Sequence, residues 1–134
     1  MVGDRVIGSH SAAVVIDREG KKGNPNEAMF TWTFEQGHEG AHDFKKRLEV
    51  LDECGIDAQV IYPGGVGLGG QNFGNIDGRA SAEMAMQVYN SASAQFQSDS
   101  GNRLLPLPLM PAWDVDKCVA EAKRCAAMGC AGST

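Results

Sequence analysis

RLEVLDECGIDAQVIYP, from Arg47 to Pro63, is the stretch in which the hydrophobic period changes from that of a helix to that of a strand. Phe44, Leu48 and Leu51 recur at helical spacing, while Lys45, Lys46, Glu49 and Asp52 fall on the opposite side. Gly55 stands where a helix ends on a left-handed residue. The apolar run Ala58 to Tyr62, closed by Pro63, then reads as a buried strand. A helix that stops on glycine and feeds at once into a short apolar strand is the αβ half of an alternating α/β fold.

Toward the C-terminus the theme repeats. A helix is expected over Arg79 to Ser98, with Ala80, Met84, Val88, Ala92 and Phe96, at steps of four, as its buried stripe. The polar cluster Asp99 to Asn102 breaks it, and Leu104 to Met110 supplies the next strand. Pro106 and Pro108 each remove a ladder donor, and their spacing of two sends both missing donors to one edge. Asp114 caps a third helix, Val115 to Met128, with Val115, Cys118, Val119, Ala122 and Ala126 inward and Gly129 as its stop. Cys130 to Thr134 then opens a further strand, so the sequence is expected to be cut in mid-sheet. The order αβαβα(β) implies a parallel sheet with helices outside it.

Residues 1–42 read as an N-terminal extension to this 43–134 segment. Arg5 to Lys22 holds two short β-branched runs and the polar turn Asp17 to Gly20, the pattern of a small β-hairpin. From Gly23 to Gly40 the period is lost. Asn24-Pro25-Asn26 reads as loop, and Met29, Phe30, Trp32 and Phe34 are expected to pack that loop back onto the core.

With 134 residues the chain has the length of one domain, enough to bury roughly two thirds of its unfolded surface. A net charge of -5 gives no basic footprint for nucleic acid or an anionic membrane, and no apolar run approaches the ~20 residues of a membrane span. The N-terminus lacks a signal pattern, so a cytoplasmic location is expected. Cys54, Cys118, Cys125 and Cys130 contain no Cys-x-x-Cys pair and read as buried free thiols.

The runs Arg47 to Pro63, Val88 to Phe96 (VYNSASAQF) and Arg103 to Gly132 (RLLPLPLMPAWDVDKCVAEAKRCAAMGCAG) carry a family resemblance. Arg-Leu-x-x-x-Asp-x-x-Gly-Ile-Asp before the strand, Tyr89-Asn90 in the helix and Arg103-Leu104 opening the next strand are its first elements. Pro111, the Asp114-Val115 helix start and Gly129-x-x-Gly132 complete it. Together they resemble the amidohydrolase-related family of metal-dependent (β/α)8 barrels, which includes the aminocarboxymuconate-semialdehyde decarboxylase type.

The resemblance implies the early part of a (β/α)8 TIM barrel. Its strands would be Ala58 to Tyr62, Leu104 to Met110 and the start at Cys130, with the site at their C-terminal ends. Tyr62, Met110 and Trp113, with the loop Gly64 to Asn75, would then face a substrate pocket, Tyr62 and Trp113 serving equally well to close the barrel core. The resemblance further implies a divalent metal, usually zinc, held by a His-x-His pair, later histidines and an aspartate. None of those positions is matched, since His10 is a lone histidine, so no metal is expected in this chain. The expectation is therefore a fragment, inactive alone, of a hydrolase or decarboxylase for a small carboxylate or amide-like molecule. Asn90 reads as a structural hydrogen-bonding residue.

Two other motifs compete. His38-Glu39-Gly40-Ala41-His42 fits H-E-x-x-H, in which two histidines on one helical face bind zinc and the glutamate is the base of a small zinc protease. Gly40 inside the turn costs about 1 kcal/mol relative to alanine, and no third ligand follows at protease spacing. A polar loop with solvated or capping histidines is the simpler reading. Gly65 to Gly70 contains G-x-G-x-x-G after a strand, but loop continues where a helix should start. A third reading is a non-catalytic α/β module that covers its sheet edges by self-association or with the missing barrel half.

Overall fold

The computed structural model describes residues 14–64, 73, 76 and 78–132, which fall into two compact units split after Asp57. In the first, Asp17 organises a tight turn. Its Oδ1 accepts the amides of Glu19 (2.9 Å) and Lys21 (2.8 Å), and single antiparallel bridges join Ile16 to Lys22 and Asp17 to Gly37. The expected hairpin is thus present only as bridged residues, because the self-bonding aspartate tightens the turn before strands can extend. Its first run, together with His10, lies outside the described residues.

The loop expected at Asn24-Pro25-Asn26 is the start of a helix, α1 (Pro25–Thr31). Asn24 accepts the Asn26 amide, and Pro25 occupies the first turn, where its missing N–H is not needed. Trp32 lies so close to Gly23 that a Cβ there would meet its ring at 2.5 Å. A 3-10 turn, Glu39–Ala41, leads into α2 (Phe44–Glu53). Asp43 caps α2 by accepting the amides of Lys45 and Lys46, and Arg47 Nη1 donates to the Gly40 carbonyl at 3.1 Å. Gly55 ends the element at φ +67°, as the sequence predicts.

The second unit holds β1 (Gln59–Ile61), α3 (Arg79–Asp99), β2 (Leu104–Pro106) and α4 (Val115–Ala127). β1 and β2 pair in parallel, Gln59 opposite Leu104 and Ile61 opposite Pro106. The Gln59 amide donates to Arg103 O, and the Leu107 amide to Ile61 O. Odd-numbered residues of β2 therefore face β1, and the Leu104 amide turns away to Ser100 Oγ at 3.0 Å. Pro106 and Pro108 share the outward side with Leu104, so their missing donors do fall on one edge.

This corrects the expected partial (β/α)8 barrel: among the described residues there is one two-stranded parallel sheet with four helices in a small mixed α/β chain. The strands are three residues long where five and seven were expected. β2 ends at Pro106 because the Leu109 amide leaves the ladder for Asn90 Oδ1 at 2.8 Å. Residues 130–132 form no strand. The Cys130 amide bonds back to Cys125 O, and the Ala131 amide to Gln97 Oε1, while 133–134 lie outside the described residues.

The helices lie where the period places them, but both turn the other way. α3 buries Ala82, Met86, Asn90, Ser93 and Gln97. Met84 and Val88 of the expected stripe are 67% and 65% exposed. α4 buries Glu121 and Cys125 and leaves Val115 78% exposed. The core gathers Phe73, Ile76, Ala82, Met86 and Leu109, with Ala85, Tyr89 and Trp113 against it. Among the described residues no helix is long and apolar enough to cross a membrane.

Candidate functional site

In a parallel pair both strands end on the same side, and ligands of open α/β sheets gather there. From β2 the chain passes through Met110 and Pro111, both buried, into a turn in which the Ala112 amide donates to Met110 O and the Asp114 amide to Pro111 O. Asp114 Oδ1 then accepts the Lys117 amide at 3.1 Å and starts α4. Trp113, fixed between turn and cap, lays its ring against the core cluster.

Arg79, the first residue of α3, stacks its guanidinium on that ring, Cζ lying 5.1 Å from the centroid. This is cation–π geometry. Gly78, the residue before it, has φ +87° and provides no side-chain cap, so the positive end of a 21-residue helix lies beside the guanidinium. Among the described residues the buried indole Nε1 of Trp113 has no hydrogen-bond partner. An unpaired buried N–H costs about 1–3 kcal/mol, which an acceptor placed there would recover. Phe73 and Tyr89, in the same core cluster, meet edge to face at 6.5 Å, and burial pushes the Tyr89 hydroxyl above its ordinary pKa. A cation, a donor and an aromatic wall suit a small planar anion.

Of the expected pocket residues, the structure places Trp113 in this cluster and buries Met110, while Tyr62 is 62% exposed. Arg79 was missed by sequence reasoning. Its signal was an arginine directly after a glycine at a helix start, where a capping side chain is usual. The Gly65 to Gly70 motif and most of the Gly64 to Asn75 loop lie outside the described residues.

No protein-family model matches the chain, and no curated protein matches it.

A second polar cluster joins α3 to α4. Asn90 Nδ2 donates to Leu109 O (2.8 Å) and to Glu121 Oε1 (2.7 Å), and Arg124 grips both Glu121 oxygens at 2.8 and 2.6 Å. Arg124 also reaches Ser91 Oγ and Gln87 O across the seam. The Arg124 pair, reinforced by Asn90 against the cost of burial, holds the Glu121 carboxyl below its ordinary pKa. Burial pushes the Cys125 thiol up to about 12, with the Glu121 charge adding to it. Lys117 pairs with Glu83 at the rim of a cleft of about 130 Å³. Each of these four charges already has a partner, so the arrangement braces two helices.

The H-E-x-x-H residues lie on a single 3-10 turn instead of an α-helix. His38 caps it, Nδ1 accepting the Gly40 amide at 3.1 Å, and His42 packs against Phe34 at 5.7 Å. His38 and Glu39 border a groove of about 320 Å³, of which His42 is not a wall. A Cβ on Gly40 would come within 3.2 Å of His38 Nδ1, so this glycine serves a close approach. Among the described residues no three His, Cys, Asp or Glu side chains gather as a metal set, and no chemical step is assigned to a metal held by them.

Proposed function

We propose that the chain supplies carboxylate recognition to a metal-dependent hydrolase or decarboxylase related to the amidohydrolase-related enzymes, and is inactive alone. The supporting observation is the Arg79 guanidinium on Trp113, whose buried indole N–H lacks a partner among the described residues. The three sequence runs quoted above support the family. The metal that the resemblance implies is assigned to no residue of this chain, and the residues named here bind and orient.

In this reading Arg79 attracts the carboxylate and the Trp113 indole N–H donates to one of its oxygens. The aromatic wall excludes water, which strengthens both interactions. Calorimetric titration with benzoate tests it. Saturable binding that weakens by roughly tenfold, a difference of about 1.4 kcal/mol, in Arg79→Ala supports the reading. Equal heats in both proteins sink it.

A second reading, association with another copy of the chain, is favoured by the apolar faces that α3 and α4 leave exposed at Met84, Val88, Val115 and Val119. Sedimentation of wild type beside Val88→Glu separates a dimer from a monomer. The four free cysteines support placement in a reducing, cytoplasmic compartment.

A further inference from the structure

The turn that ends α4 places two cysteines together. Gly129 adopts φ +85°, its amide donates to Ala126 O at 3.0 Å, and the Cys130 amide donates to Cys125 O at 3.1 Å. These are the two bonds of a Schellman motif, which is frequently accompanied by a contact between the residue two beyond the cap and the residue three before it. Here those residues are Cys130 and Cys125.

The 3.1 Å bond also bounds their separation. Adding the N–Cα bond and the Cα-to-oxygen span keeps the two Cα atoms within about 7 Å, at the upper limit of the disulfide range. The turn is held from outside as well, since Gln97 Nε2 donates to Gly129 O at 2.8 Å and Gln97 Oε1 accepts the Ala131 amide at 3.3 Å.

We propose that Cys125 and Cys130 are a redox-responsive thiol pair that closes to an intrachain disulfide under hydrogen peroxide, cross-linking the last turn of α4 to the residues that follow it. Cys130, partly exposed, reacts first, and Cys125, 2% exposed, resolves. The Cys130 thiolate sulfur attacks one peroxide oxygen. An S–O bond forms, the O–O bond breaks, and hydroxide leaves as water with the proton lost from the thiol. Cys130 is now a sulfenic acid, oxidised by two electrons, and the peroxide is reduced by two.

Cys125 sulfur then attacks the Cys130 sulfur. The S–S bond forms, the S–O bond breaks, and the hydroxide released combines with the Cys125 proton as the second water. Cys125 directs that proton at Glu121 Oε1, 3.6 Å away, which is placed to relay it. The raised pKa of Cys125 fits this order, because a thiol that resists ionisation does not start the reaction.

The test uses the full chain with Cys54→Ser and Cys118→Ser, so that the pair alone is oxidisable at sulfur among its cysteines. After peroxide and N-ethylmaleimide, trypsin cuts behind Arg124 and leaves both thiols in the one peptide 125–134. The expected product is that peptide, two hydrogens lighter and unalkylated, from a protein with no cross-link between chains. Replacing Cys130 by alanine should leave Cys125 unoxidised and alkylated only after unfolding. A Cys130 sulfinic or sulfonic acid without the cross-link, a disulfide between two chains, or a pair that stays fully alkylatable overturns the proposal. If the alanine variant does not fold, the cross-link in the parent still decides.

Discussion

Asn90 Nδ2 sits 2.7 Å from Glu121 Oε1, so one buried amide joins α3 to a carboxylate on α4, while the same Nδ2 donates to Leu109 O and Oδ1 accepts the Leu109 amide. Asn90→Ala strips an acceptor from the Leu109 amide and a donor from Glu121. The expected loss is about 3 kcal/mol, since buried groups left without partners bear the full desolvation cost. Urea denaturation measures it as a lower midpoint at unchanged slope. A loss under about 0.5 kcal/mol would put Asn90 outside the brace.

Glu121 gives the brace a pH dependence with a defined sign. Its native pKa is lowered, by Arg124 first, so the native state binds its proton less readily than the unfolded chain does. The stabilisation is fully present above the ordinary glutamate value and disappears as the pH falls through the lower native value. Denaturation midpoints recorded from neutral pH into that acid range should fall less steeply in Glu121→Gln than in wild type. Parallel acid limbs would assign the acid sensitivity to other carboxylates.

The existence of α2, β1, α3, β2 and α4 was legible because their signals are local. Asp114 at the start of α4, Gly55 and Gly129 at helix ends, and the pair of prolines on one edge of β2 all act through their own neighbours. Which way a helix faces is decided elsewhere. In α3 the stripe of Met84 and Val88 is as apolar as that of Ala82 and Met86, and the Asn90 bonds to Leu109 and Glu121 settle the choice. The Arg79–Trp113 stack was hidden for the same reason, its partners being 34 residues apart.

The face assignment predicts opposite outcomes for two methionines one half-turn apart. Met86→Ala should cost about 2–5 kcal/mol, as emptying a packed core site does. Met84→Lys, at a position 67% exposed, should stay within about 0.5 kcal/mol of wild type. Thermal unfolding of the two variants compares them directly, and the reverse ranking would restore the stripe read from the sequence.

Equilibrium dialysis against zinc distinguishes the protease motif from a capping turn. With His38 Nδ1 accepting the Gly40 amide and His42 on Phe34, wild type and His42→Ala should retain the same, substoichiometric metal. One zinc per chain, lost in His42→Ala, would assign the motif a catalytic role.

The most direct test of carboxylate recognition watches the donor itself. The chain has two tryptophans, so a proton–nitrogen correlation spectrum shows two indole resonances, which Trp32→Phe assigns. On titration with benzoate the Trp113 indole proton should move downfield and saturate while that of Trp32 stays, and the shift should vanish in Arg79→Ala. A Trp113 resonance that does not move, or one that moves equally without Arg79, would contradict the account.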